Sequence, residues 1–392
     1  MTCLLYELER VERAMDEAGL DALIAITAPN VQYITRFRRV GSAMAVVRRA
    51  DLENPHLIVK ASSVDFCQED PCDAVQIHVH GNFYRFFTEE VELNKRETFL
   101  ARLHNKARHD ASGWDLIAEV LSSAGLQKGT VGTDTTADSL LQLREAMPSL
   151  RVESTPELFK RLRMVKSREE IKRLAEAARI TEHAILTSAQ SAFLGATQRH
   201  LARVFSLTAI TANSYIRQDN ASIGRGSAFG NLNVPSHVVE NGSIIRYDVG
   251  VHYKGYASDM ARCFVFQTLN EKVHSMYAAL VEGEDRLLEM MRPGVTAAEV
   301  FEATVSAVRK AGIPNYERTH VGHGIGIAGA GYDHPLLAPS DNTVLEPGMV
   351  ICVETPYVEV GFGGLQVEDM VVITPHGHRM LTHTNRHLEV LP

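Results

Sequence analysis

Apolar positions in the first 150 residues follow two alternating rhythms. A helical spacing over residues 4–18 predicts an amphipathic helix, and a second helical stretch covers about 113–124. Between and after them the short apolar runs LDALIAIT, AMAVVRR, HLIVKA and GTVGTD read as strands, so this part is expected to be an α/β domain. A different pattern begins at SREEIKRLAEAARITEHAI, where Ser167 and Glu170 form a capping-box signature ahead of a long amphipathic run. The boundary is expected near 155–165, giving domains 1–160 and 161–392. Helical stretches at about 167–193 and 196–213 precede a strand pair, SIIRYDVGVHY and YASDMARCFVF. Helices near 270–291 and 296–312 then precede a remainder of strand and loop. Helices then strands, twice, without a close repeat, predicts an α+β domain with segregated layers.

Composition narrows the partners. A chain of 392 residues exceeds one ordinary core, and 45% hydrophobic with 22% charged residues lies in the globular range. Lys and Arg (40) are outnumbered by Asp and Glu (48), a formal net charge of −8, which argues against a polyphosphate-binding surface and so against nucleic acid. Acids inside the first apolar stretch make the start a helix rather than a signal peptide, and no run of about 18 apolar residues predicts a membrane span. The five cysteines, at 3, 67, 72, 263 and 352, are scattered and odd in number, as expected of reduced thiols in a cytoplasmic protein. Cys67 and Cys72 lack further soft ligands, because His78 and His80 fall on an alternating strand; they read as plain thiols.

Candidate chemistry collects in the second domain. Asp248 and Asp259 lie on two strands joined by a short turn at Lys254-Gly255, so a hairpin can bring them together. His323 stands among Gly322, Gly324 and Gly326 in VGHGIGIAG, where small residues permit close approach. ICVETPY and GLQVEDM each set one acid, Glu354 and Glu368, into an apolar strand. Burying a carboxylate costs several kcal/mol unless it is paired or coordinated, and these four acids have no evident basic partners in sequence. Two divalent cations would balance four carboxylates, and oxygen-rich ligation with one imidazole suits Mn, Fe, Co or Zn.

The segments YDVGVHYKGYASDMAR, GHGIG, LEPGMVICVETPY and GGLQVEDMVVIT, in that order, resemble the pita-bread metallopeptidases, namely prolidase (Xaa-Pro dipeptidase), aminopeptidase P and methionine aminopeptidase, with creatinase as a metal-free relative. The likeness covers roughly residues 160–390, and NVQYITRF at 30–37 resembles the creatinase and prolidase N-terminal domain. The implied fold is an α/β N-terminal domain followed by an α+β pita-bread catalytic domain. The resemblance implies a dinuclear hydrolase of small Xaa-Pro peptides, with manganese first and cobalt, zinc or iron as alternatives. By the same resemblance Asp248 ligates one ion, Asp259 and Glu368 bridge both, and His323 and Glu354 complete the other. Metal-activated water would attack the amide carbonyl, with Glu354 as proton shuttle. A homodimer is implied as well.

Around this ligand set the chain departs from the family pattern. Asn231 stands where prolidases place a histidine, with His237 nearby but out of register. Tyr332-Asp333-His334-Pro335 replaces a His-Glu-x-Pro run, Gln366 replaces an arginine and Ala261 a threonine. His320, three residues before His323, is placed to substitute for a histidine four before it. Asn231, His237, His320, Tyr332 and Gln366 are therefore the candidates for a rebuilt substrate pocket. Arg36, Arg38 and Arg39 read as a solvated cluster, or, since the resembling N-terminal region reaches a neighbouring subunit's site, as contacts for an anionic substrate group. The rebuilt pocket keeps open a creatinase-like hydrolase of a small non-peptide amide, guanidine or cyclic amidine. A non-enzymatic pita-bread binding protein would need none of the five ligands.

Overall fold

A computed structural model describes residues 3–38, 42–88, 90–136, 140–229, 237–327 and 332–392. The chain divides into two compact units, Met1–Arg163 and Met164–Pro392. In the first, the elements are α1 (Leu8–Glu17), β1 (Ala22–Ala25), α2 (Ala28–Thr35), β2 (Met44–Arg48), β3 (Asp51–Lys60), β4 (Gln76–His80), α3 (Lys95–Asn105), α4 (Gly113–Ser123), β5 (Thr130–Thr133), α5 (Leu141–Ala146), β6 (Arg151–Ser154) and α6 (Pro156–Met164). The six strands form one mixed sheet ordered β4-β3-β2-β1-β5-β6. Its core joins Ile24, Val46, Ile58 and Val131 to Leu116, Ile117 and Leu121 of α4.

Helix α2 was not expected, and its start explains why. Its N-cap, Thr27, makes no side-chain cap. Asp134, beyond β5, instead accepts from the Ile26 and Thr27 N–H groups at 2.9 Å and from Asn30 Nδ2 at 2.8 Å. A cap supplied from more than a hundred residues away leaves no local signature.

Two readings are corrected here. Cys3 and Cys72 are joined by a disulfide, with Cα atoms 5.5 Å apart, so the cysteines are not all reduced thiols; Cys67, Cys263 and Cys352 are free. Linear spacing did not reveal that the N-terminal segment folds back on residue 72. Arg36 and Arg38 are not a loose solvated face, since Arg36 Nη2 meets Asp70 Oδ1 at 2.5 Å and Arg38 Nη2 lies 3.3 Å from Glu69 Oε2. Arg39 falls outside the described residues.

The second unit begins with α7 (Arg168–Gln190) and α8 (Gln198–Thr211), the former opened by the Ser167/Glu170 capping box. There follow β7 (Tyr215–Ile223), β8 (Ile244–Tyr253), β9 (Tyr256–Ala257), β10 (Met260–Phe266), α9 (Glu271–Met290) and α10 (Ala297–Ala311). The last strands are β11 (Gly322–Gly324), β12 (Asp333–Leu336), β13 (Val350–Glu354), β14 (Tyr357–Glu359), β15 (Gly363–Leu365), β16 (Glu368–Thr374), β17 (Gly377–Met380) and β18 (Glu389–Leu391). A ten-stranded sheet runs β12-β11-β13-β16-β10-β8-β7, with β17, β18 and β9 attached to β16, β10 and β8. No helix among the described residues is long and apolar enough to cross a membrane.

Two helix pairs cover the sheet. Ala177, Ile180 and Ala184 of α7 and Leu201 and Phe205 of α8 pack with Ile245, Tyr247, Val249 and Val251 of β8. Leu280, Leu287, Val300, Val305 and Val308 of α9 and α10 pack with Ile351 and Val353 of β13 and Val371 and Ile373 of β16. Strand side chains alternate between faces. Asp248, Cys352 and Glu354 therefore project away from those apolar neighbours, onto the face where the chemistry collects.

Candidate metal centre

Strand register aligns the acids. Asp248 pairs with Ala261, Ala261 with Glu368, and Glu368 with Glu354, while Asn220 faces Asp248 from the other side. Directly opposed residues share a face, so one row crosses β7, β8, β10, β16 and β13 with Ala261 as its small central member. Asp259 precedes Ala261 by two positions and joins the row. Oxygens of Asp248, Asp259 and Glu368 all lie within 4.8 Å of one another. From β11, His323 brings Nε2 to 3.6 Å from Asp259 Oδ2 and 4.0 Å from Glu368 Oε1. Its neighbour Gly324 is required small, because a Cβ there would stand 2.4 Å from the His334 carbonyl oxygen of β12.

The polar candidates separate into near and far. Gln366 Nε2 donates to Glu354 Oε2 at 3.3 Å and to Glu368 Oε2 at 3.4 Å, while its Oε1 accepts from Arg246 Nη1 at 2.9 Å. His320 Nε2 lies 3.0 Å from Glu354 Oε1. Tyr332 stacks on the His323 ring with centroids 3.8 Å apart. His237 packs instead over Gly226, where a Cβ would stand 1.9 Å from its Nδ1, and none of its polar contacts reaches the acidic row. Asn231 lies outside the described residues. His334 is half exposed, 3.9 Å from Asp341.

The expectation that these acids are buried without basic partners is not met. Arg217 Nη1 lies 2.6 Å from Asp259 Oδ2, Arg246 Nη1 is 3.9 Å from Asp248 Oδ2, and Arg318 Nη2 is 3.7 Å from Glu354 Oε1. Arg246 and Cys352 were legible, since each sits two positions from an acid on the same strand and so on the same face. Arg217 was not, because the polar run RQDN hides the strand period of β7.

Charge crowding persists despite the arginines. Burial, and then the Asp259 charge, pushes the Asp248 carboxyl up to about 6. Burial pushes Asp259 up to about 6 as well, although Arg217 pulls the other way. Glu368 is raised well above the carboxylate range by burial and by Asp259, Glu354 and Asp248. Glu354 is the exception: burial opposes its charge, yet the His320 hydrogen bond and Arg318 hold it below its ordinary value. Burial lowers His323 to about 4, so its imidazole is neutral and able to ligate. Asp259 Oδ1 is buried with no hydrogen-bond partner. An orphaned carboxylate oxygen, beside two acids that repel it and a neutral imidazole, fits a divalent cation.

Comparison with known proteins agrees with this geometry. The profile of Metallopeptidase family M24 matches residues 172–375, and that of the Creatinase/Prolidase N-terminal domain matches residues 7–165. The chain belongs to metallopeptidase family M24, and its fold is a creatinase-type α/β domain followed by a pita-bread catalytic domain. It is a peptidase of that family, whose chemistry implies divalent metal ions. Among its relatives, an Xaa-Pro dipeptidase of Pyrococcus furiosus is 26% identical over 387 residues, covering 97% of this chain and 99% of the relative. An Xaa-Pro dipeptidase of Lactobacillus helveticus is 28% identical over 291 residues, or 71% of this chain and 77% of the relative. In fold it is similar to an X-Pro aminopeptidase from Thermotoga maritima, with a TM-score of 0.77, 20% identity and 98% and 99% of the two chains covered.

Proposed function

We propose that this peptidase hydrolyses small Xaa-Pro peptides, dipeptides first, at a divalent-metal site held by Asp248, Asp259, His323, Glu354 and Glu368. The observation that carries the metal reading is the orphaned Asp259 Oδ1 within a cluster of carboxylates whose charge is opposed by burial and mutual repulsion. The Xaa-Pro specificity is supported by relatives of that name that align over most of this chain. Residues 161–392 are the catalytic domain in this reading, residues 1–160 the accessory one, and the assembly is a homodimer. Manganese is the first candidate ion, with cobalt, zinc and iron as alternatives. The five side chains themselves can accommodate two ions.

When bound, a divalent ion supplies Lewis acidity, polarising an amide carbonyl and making water acidic enough to attack near neutral pH. The chain supplies the rest. Glu354, kept ionised by His320 and Arg318, accepts the proton of the attacking water and delivers it to the leaving nitrogen. Gln366 fixes Glu354 and Glu368 relative to each other through one amide. Tyr332 covers His323 and bounds the substrate side.

The test is elemental analysis of the purified protein, together with proline release from a panel of Xaa-Pro dipeptides after manganese loading. Bound metal with proline release supports the proposal. Bound metal without release points to the creatinase-like alternative, a non-peptide amide or amidine substrate; absence of metal after loading overturns the metal site.

A further inference from the structure

The acidic row already contains a cation, and a backbone irregularity aims it there. In the β7–β8 ladder Ile216 pairs with Val251 and Gln218 with Gly250, so two consecutive residues of β8 face three of β7 and Arg217 is the extra residue of a β-bulge. Asn220 faces Asp248, and Gln218, two positions away, is on the same side: its Nε2 donates to Asp248 Oδ1 at 2.8 Å. Ile216 packs on the opposite side, in the core beneath α7 and α8. A regular strand could keep only one of the two on the acid side: counted on from Ile216, alternation turns Gln218 into that core, and counted back from Gln218 it turns Arg217 there. With it, Gln218 and Arg217 both reach the acids, which is a use to which bulges beside active sites are put.

The guanidinium meets Asp259 at Oδ2, the oxygen that faces His323 Nε2 at 3.6 Å, and leaves Oδ1 unpartnered. Arg217 Nη1 makes no hydrogen bond of its own, so the contact is an ion pair, and it places a positive charge on the Asp259 oxygen nearest His323. Charge agrees. Four carboxylates with Arg217 and Arg246 among them need one divalent ion for neutrality; two overshoot, and Arg318 adds to the excess. Buried charge that is not matched is costly.

We propose that Arg217 is the second cation of this centre: it holds Asp259 Oδ2 in place of one metal ion, so the chain binds one divalent ion, through the carboxylates of Asp248, Asp259 and Glu368. This rests on reading those side chains as a metal site. The Arg217 position thereby sets the metal count and narrows the five proposed ligands to three carboxylates, with His323 and Glu354 left on the substrate side.

Metal stoichiometry of the full chain tests it. Wild type, Arg217→Met and Arg217→Lys are stripped, titrated with manganese, and measured by elemental analysis and by electron paramagnetic resonance, with thermal melting as the check on folding. The expected result is one ion per chain with an isolated-ion spectrum for wild type and Arg217→Lys, and two spin-coupled ions for Arg217→Met, which loses the charge but keeps the length. Two ions in wild type, or one in Arg217→Met, overturns the proposal while leaving the metal site intact. No ion in any of the three overturns the metal site as well. If Arg217→Met does not fold, wild type and Arg217→Lys still decide, since two coupled ions in either defeats the idea.

Discussion

His320 Nε2 lies 3.0 Å from Glu354 Oε1, the carboxylate oxygen that Gln366 does not touch. Burial alone would raise Glu354, and this contact is the first of those that hold it down. Removing it in His320→Ala raises the Glu354 carboxyl, so the acid limb of the pH–rate profile moves to higher pH. Activity near neutrality falls roughly tenfold to a hundredfold, the scale on which removing the partner that orients a site carboxylate acts. An unmoved acid limb in the variant would show that Glu354 is not the group it reports.

Asp259→Asn removes an acid in contact with both Arg217 and His323. Activity is expected to fall by at least roughly a hundredfold, with metal content reduced alongside. The metal-free protein should melt close to wild type, because neutralising a carboxyl that burial has pushed up to about 6 relieves repulsion even as Arg217 loses its partner. A large drop in metal-free melting temperature would mean that Asp259 is structural first.

Asp248, Glu354 and Glu368 were legible because each interrupts an apolar strand, and alternation then dictates a shared face, whereas Asp259 lies just before β10. Capping chemistry made α7 legible too, through Ser167 and Glu170. What was not legible is long-range or irregular. Helix α2 takes its cap from Asp134, Cys3 finds Cys72 across 69 positions, and Arg217 and Gln218 share the acid side because a bulge breaks the period of β7. Period-based reading assumes regular strands and local caps, and each of these violates one assumption.

Glu170 gives a stability prediction independent of catalysis. Its Oε1 accepts from Tyr256 at 2.9 Å and its Oε2 from the Ser167 N–H at 2.8 Å, yet burial dominates and raises it to about 7. A carboxyl raised in the folded state binds its proton more tightly than in the unfolded chain. Its contribution is therefore fully present below the ordinary Glu value and is lost as pH rises through about 7. Glu170→Gln keeps a capping amide without the charge. Thermal melts should show the variant gaining on wild type at about pH 8 relative to about pH 5. Parallel melting curves across that range would remove Glu170 as the source.

Cys352 faces His323 across β13 and β11, and its Sγ lies with His323 and Glu368 in a group whose possible ligand atoms are all within 4.8 Å. Burial, then Glu368 and Asp259, raises the thiol well above its ordinary value, so it stays protonated and is no ligand for a hard ion such as manganese. A soft ion that displaces the proton would gain a sulfur ligand. Cys352→Ser is thus expected to leave manganese affinity within about twofold while weakening cadmium or zinc by roughly tenfold, since one soft ligand is removed and the oxygen ligands are kept. Competition titrations measure this directly: equal loss for manganese and cadmium would place Cys352 in packing alone, whereas selective loss for cadmium makes it a ligand for soft metals.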